Sequence, residues 1–339
     1  MEENAAEQKN TQENDIAERV KLRFEGTLDA LICEELKNKE TALLYKELIE
    51  ELDAVFARIP KGTLTGSRPI NNVAAKLIQS LNWHKDSYIP FILDGKVWEQ
   101  ELAKSAVNCA IMSAVTAKEL KLGNRKIMQI VIGALLHDVG VLMLPKAIFE
   151  KKGGLSNTEL AMMKSHPDFA AKFVIKDLAY PNEISYVVKE HHERWDGKGY
   201  PDGIAGGVID IGARIVSVAD AFEAMVSNKP YRPSMSSFEA MKNLLAENSL
   251  RFDPYVINAF SKIMGIYPVG SIVLLNNGAY GRVTKIRQDV STRPKIKILV
   301  NASGKTLDPN QDEEIDLLFD KKLYIVKGID PKEFAQRNA

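Results

Sequence analysis

Cysteine is nearly absent from the 339 residues, with Cys33 and Cys109 the only two. Two are too few for a disulfide framework, and Cys109 lies in an apolar helical run, so a reducing cytoplasm is the expected setting. Charge of one sign is also missing: Lys and Arg number 45, and so do Asp and Glu. Without a basic field there is little to draw DNA, RNA or an acidic membrane surface, and none of these is an expected partner. No apolar run is read as reaching the ~20 residues of a membrane helix, so no membrane span is expected. The acidic start, Met1-Glu2-Glu3-Asn4, lacks the marks of a signal peptide. Histidine is scarce too, at five residues, and the places where those five sit are the most informative feature of the chain.

What is present is ordinary globular material, 45% hydrophobic and 27% charged. The length suits about two domains of ~150 residues. Residues 1–15, rich in Glu, Gln and Asn, read as a disordered lead-in. Within 16–95, Leu44, Leu48, Leu52, Val55, Phe56 and Ile59 share one helical face. A loop at Pro60-Lys61-Gly62 and Gly66-Ser67-Arg68-Pro69 then precedes a second helix with Ile70, Val73, Leu77 and Leu81 inward. His84 stands alone after Trp83 and reads as a surface or packing histidine. This part is expected to be a mainly helical regulatory or dimerisation domain, making a homodimer plausible. From 96 to 266 the period stays helical. Helices are predicted over Ala103–Leu120, Ile127–Leu136, from Thr158 to His166, from Asn182 to the His191-His192 doublet, and over Ile211–Met225. Asp253-Pro254 reads as the N-cap and first residue of a further helix. Past Pro268 the period becomes alternating, and four short strands are expected in a small β module over 267–330, followed by a tail, 331–339. The fold class is therefore mainly α, a helical bundle with an N-terminal helical domain and a C-terminal β module.

The polar groups that interrupt the apolar helices are His137, Asp138, His166, His191, His192 and Asp220. Buried helices rarely end in two ionisable side chains unless something pairs them. A dinuclear hydrolytic site needs imidazoles and carboxylates together, with one carboxylate shared between ions ~3.5–4 Å apart. Asp138 is the natural bridge, with His166, His191 and His192 serving one ion and His137 and Asp220 the other. Such ions lower the pKa of a bridging water towards ~7 and polarise a phosphoryl oxygen. A mixed nitrogen and oxygen set without thiolates suits iron or manganese. A lone His-Asp pair is weak testimony, and His166 alone would read as a packed or capping histidine; the ordered set on consecutive helices is much more specific.

That order, with the loop Asp196-Gly197-Lys198-Gly199-Tyr200-Pro201 after the histidine doublet, resembles the HD-GYP domain, a branch of the HD phosphohydrolase superfamily, over residues 96–266. Pro145, Leu155, Met163-Lys164-Ser165-His166-Pro167 and Asn228-Lys229-Pro230-Tyr231-Arg232-Pro233 agree with it. The resemblance implies an HD-type helical bundle with two or three divalent transition-metal ions. It also implies hydrolysis of the bacterial messenger cyclic di-GMP to the linear dinucleotide or GMP, with His137, Asp138 and Tyr200 at the reacting centre. Tyr200 would lie beside the substrate, and Lys229 and Arg232 would hold its phosphates, which two cations near a metal centre can do.

Two positions depart from the family pattern. Ser105 stands where the family has a histidine that opens the metal set, and Glu101, one turn earlier on the same helix face, matches a glutamate that binds metal in trinuclear members. Val141 replaces the lysine of the His-Asp-x-Gly-Lys motif, and loss of one preorganised charge of that kind lowers rates by on the order of 10²–10³. Ala170, where the family tends to glycine, is milder. The departures leave a slow cyclic di-GMP phosphodiesterase as the first reading. A catalytically weak receptor, or a scaffold for a diguanylate cyclase or another signalling protein, is the second. An HD phosphohydrolase for a different nucleotide is the third.

Overall fold

The computed structural model describes residues 39–83, 88–93, 101–149, 151, 153–227, 234–287, 289–307, 314–329 and 334. The lead-in, Cys33, His84, Lys229 and Arg232 lie outside the described residues. The described chain is mainly helical and divides into two units. Among the described residues, one holds those within 39–235 and 242–263, and the other those within 236–241 and 264–334.

In the helical unit, α1 (Lys39–Phe56) and α2 (Arg68–Trp83) precede a short α3 (Ile89–Leu93). Tyr45, Leu48, Ile49, Leu52 and Phe56 form the buried stripe of α1, and Ile70, Val73, Leu77 and Leu81 that of α2. Each fully buried aliphatic side chain contributes roughly 1.5–3 kcal/mol. These stripes face α4 (Glu101–Glu119) and α5 (Asn124–Leu136). Among the described residues, α1 and α2 thus pack on helices of the bundle. The Tyr45 hydroxyl donates to Asn108 Oδ1 at 2.6 Å, and that of Tyr180 to Asn71 Oδ1 at 2.7 Å.

The central helix is α4. Ala103, Ala106, Ala110, Ala114 and Ala117 are all buried, and their small side chains let α5 and α10 (Ile211–Val226) approach closely on two sides. Alanine is also the strongest helix former, so the sequence favours the same structure locally and globally. The run Asn124–Met143 is long and apolar enough to cross a membrane by length and composition, with 67% of its most apolar stretch buried inside the protein. This corrects the expectation that no such run exists. Apolar residues all round α5 are accounted for by packing on every side.

After α5 come a 3₁₀ turn (Val139–Met143), α6 (Lys146–Phe149), α7 (Asn157–Met163), α8 (His166–Lys176) and α9 (Asn182–Glu190). The helix expected to run from Thr158 to His166 breaks at Lys164-Ser165, so His166 opens α8 with Pro167 in its first turn. The unit closes with α11 (Ser237–Ala246), which crosses the division between the units, and α12 (Pro254–Met264). Asp253 caps α12 as its sequence predicts, accepting from the Tyr255 amide at 2.8 Å.

The β unit is one antiparallel sheet in the order β4-β3-β2-β1-β5. Its strands are β1 (Ile272–Leu275), β2 (Tyr280–Lys285), β3 (Lys295–Val300), β4 (Glu314–Asp316) and β5 (Ile325–Ile329). Four strands were expected. The extra one, β4, has three residues, too few to show alternation. Val273, Leu275, Val283, Ile296 and Ile298 pack with Ala279 and Leu317, while Ile272, Val300, Ile329 and Phe334 form a second cluster. The β1–β2 turn uses Asn277-Gly278, with Gly278 at φ 86°, as such a hairpin requires.

Candidate metal centre

Six side chains from four places in the chain come together in the bundle. His137 follows the last turn of α5, and Asp138 begins the 3₁₀ turn. His166 opens α8, the histidine doublet follows α9, and Asp220 projects from α10. Asp138, His166, His191 and His192 can each offer a ligand atom within 4.8 Å of the others, and so can His137, Asp138 and Asp220. Asp138 belongs to both groups. Its Oδ1 lies 3.1 Å from His166 Nε2 and 3.7 Å from His191 Nε2, and its Oδ2 lies 3.2 Å from His137 Nε2. Asp220 Oδ1 stands 3.6 Å from His137 Nε2.

The helix ends set the imidazole tautomers. Nδ1 of His137, His166 and His191 sits 2.8, 2.8 and 2.7 Å from the carbonyl oxygens of Ala134, Met163 and Val188, each three residues back. A carbonyl only accepts, so each Nδ1 carries the proton and each Nε2 turns its lone pair, in the neutral ring, to the cluster. His166 Nε2 and His191 Nε2 then face one another at 3.4 Å with no proton of their own to share. Two lone pairs opposed in a buried site beside a carboxylate call for a cation, and the donor set fits a divalent metal.

The electrostatics differ between the two groups. Burial pushes His191 and His192 below the ordinary histidine value, His192 well below, so both rings are neutral near pH 7. Burial also disfavours a charged His137, but the Asp138 charge, with the Asp138 and Asp220 carboxylates close to Nε2, outweighs it and lifts His137 well above its usual range. Asp138 moves the opposite way: burial would raise it, but the His137 charge and the close approach of the surrounding imidazoles hold it well below the carboxylate range. Below the raised value a proton occupies His137 Nε2, and a metal ion must displace it. The ion held by Asp138, Asp220 and His137 should therefore bind more tightly as pH rises from neutrality towards the raised His137 value, releasing a proton, whereas the Asp138–His166–His191–His192 ion should change little. Calorimetric titration with manganese(II) in two buffers of different ionisation enthalpy would measure this, and equal proton release at both steps would refute it.

The loop after the doublet is pinned to the cluster. Glu193, buried to 3% exposure, accepts the Asp202 and Gly203 amides on Oε1 at 2.7 and 3.0 Å. The Tyr200 amide donates to His192 O at 3.3 Å. Gly199 packs so closely that a Cβ there would meet the Arg194 amide, Glu193 Cα and His192 O, so only glycine fits. These contacts set the Tyr200 ring 4.8 Å from that of His192. Burial, then the Asp138 and Asp220 charges, raise the Tyr200 pKa and keep it a neutral hydroxyl. Such a group can donate a hydrogen bond at the site's mouth.

The two departures have definite surroundings. Ser105 Oγ donates to Glu223 Oε2 at 2.7 Å, and Glu223 Oε1 accepts from Ser227 Oγ at 2.6 Å and from Asn108 Nδ2 at 3.4 Å. Ser105 is thus committed to a carboxylate. Glu101 belongs to neither ligand group. Val141 is a buried aliphatic side chain and brings no charge to its position. Cys109 is a free, buried thiol whose pKa burial raises to about 12, so it is not a thiolate ligand. Glu193 and Glu223 were not singled out from sequence. The trace for Glu223 was its i+3 spacing from Asp220 on a helix otherwise apolar on that side.

A family model described as an HD domain matches residues 89–256, and one described as a KOW domain associated with HD domain matches 272–337. Residues 89–256 thus match the HD-domain family, and the chain resembles its HD-GYP branch. Similar proteins include cyclic di-GMP phosphodiesterase PA4108 of Pseudomonas aeruginosa, 28% identical over 308 residues, which are 91% of this chain and 73% of that protein. Cyclic di-GMP phosphodiesterase PdeB of Borreliella burgdorferi is 28% identical over 228 residues, 67% of this chain and 60% of that one. Among solved structures, Bd1817, a HDG"Y"P protein from Bdellovibrio bacteriovorus, superposes with a TM-score of 0.51 at 19% identity, over 65% of this chain and 70% of its own. That likeness is one of fold. The β unit, expected as a small β module, is the part that matches the KOW model.

Proposed function

We propose that this protein is a metal-dependent phosphodiesterase that hydrolyses cyclic di-GMP to the linear dinucleotide or GMP, and does so slowly. The observation that carries the reading is the position of Asp138, one carboxylate common to two ligand groups in which His137, His166 and His191 point inward through Nε2. Two divalent ions bound there, iron or manganese by the donor chemistry, would supply Lewis acidity to a phosphoryl oxygen and hydroxide at neutral pH. The rest falls to the chain. Asp138 keeps its charge because the surrounding imidazoles stabilise it. Glu193 fixes the loop, and the loop holds Tyr200 to donate to substrate. Lys229 and Arg232 would meet the phosphates. The lack of a charge at Val141 is the reason for a low rate. The relatives' names support the substrate, and a reducing cytoplasm suits the free thiol of Cys109.

A second reading, a catalytically weak cyclic di-GMP receptor or a scaffold for a signalling partner, is favoured by Ser105 being engaged with Glu223 and so lost to metal. Metal analysis coupled to product chromatography separates the two. The expected result is about two ions per chain and slow product formation with iron(II) or manganese(II). Bound metal and bound dinucleotide without product would give the case to the receptor.

A further inference from the structure

Two cations stand beside Tyr200 with no carboxylate paired to them among the described residues. Lys164 lies in the break between α7 and α8, two residues before His166, and is exposed. Its Nζ sits 5.4 Å from the centroid of the Tyr200 ring. Arg251 comes from the turn before α12. That turn is tied to the Tyr200 loop by the Trp195 amide donating to Arg251 O at 3.0 Å and the Asp196 amide to Leu250 O at 2.9 Å. Its guanidinium lies over the Phe252 ring at 4.9 Å, and its charge reaches the Tyr200 hydroxyl.

Three neighbouring cations, by contrast, are held. Lys189 pairs with Asp202, Arg194 with Asp196 in a two-pronged bond, and Arg214 with Asp253. An aromatic face orients an ammonium or guanidinium but leaves its charge and its N–H donors available to an anion. Divalent ions at the nearby clusters would repel both cations, so an anion between them is the arrangement that satisfies all three. The clusters can engage one phosphodiester, while a cyclic dinucleotide carries two, each with a negative charge. With Val141 apolar, the motif position supplies no cation for either.

We propose that Lys164 and Arg251 form a phosphate subsite beside Tyr200 that takes the phosphodiester of a cyclic dinucleotide not being cut. This rests on the phosphodiesterase reading above and adds a binding role to it. The test uses the full-length, manganese-loaded protein, the variants Lys164→Met and Arg251→Met, and two substrates. Cyclic di-GMP has a second phosphate; bis(4-nitrophenyl) phosphate has none. In each variant KM for cyclic di-GMP should rise about tenfold with kcat within about twofold. The preference for cyclic di-GMP over bis(4-nitrophenyl) phosphate, as a ratio of kcat/KM, should fall by the same factor, and Lys164→Arg should restore most of it. An unchanged ratio in both variants would overturn the subsite and leave the phosphodiesterase reading standing. If the unaltered protein cleaves bis(4-nitrophenyl) phosphate yet neither binds nor cleaves cyclic di-GMP, the substrate assignment fails first and takes the subsite with it.

Discussion

Replacing Asp138 with alanine should strip both ions and lower phosphodiesterase activity by on the order of 10³ or more. The carboxylate reaches His166 and His191 through Oδ1 and His137 through Oδ2, so no other side chain can take over both duties. Removal also leaves His166 Nε2 and His191 Nε2 facing one another in a buried space with no carboxylate beside them. The companion variant is Asp220→Ala. Asp220 belongs only to the group with His137, so that protein should keep one ion where Asp138→Ala keeps none. Metal content by plasma emission, measured alongside turnover, decides the matter. Equal metal loss in the two variants would show that the carboxylates are not divided as described.

Gly140→Ala should be the most damaging small substitution in the bundle. A methyl group at this position would run into His166 O and lie 2.9 Å from the Ala170 amide nitrogen, both backbone atoms of α8. Backbone cannot turn aside as a side chain can, so α8 must shift and carry His166 with it. We expect a loss of about 3 kcal/mol of stability, read from the urea midpoint. Weaker metal binding should accompany it, because the displaced imidazole opens the Asp138 group. A midpoint equal to that of the unaltered protein would show that α8 accommodates the methyl freely. Gly133→Ala, directed at the Val187 side chain, is the natural comparison: the same added carbon, met by a side chain rather than by backbone.

How far the sequence exposed this arrangement varies from residue to residue. His137 and Asp138 were visible because two ionisable groups end a helix apolar on every side. His191-His192 was visible because adjacent imidazoles before a glycine-rich turn are rare in a chain with five histidines. Their convergence is a tertiary fact, and only the order of motifs gave a reason to expect it. Glu223 stayed hidden because a glutamate inside Asp220-Ala-Phe-Glu-Ala looks like any solvated helix carboxylate, and its partners Ser105 and Asn108, with Tyr45 behind them, come from two distant helices. Lys164 was read as part of a motif, and nothing local says that its ammonium lies over a tyrosine thirty-six positions later. The N-terminal helices were legible to the same extent. Their stripes predict that they bury one face, but not that α4 and α5 are what they bury it against.

The bond from Ser105 to Glu223 changes when the bundle is fastened. In this chain the seam between α4 and α10 is closed by a hydroxyl and a carboxylate that are present from the moment of synthesis. The scaffold can therefore assemble first and capture its ions afterwards.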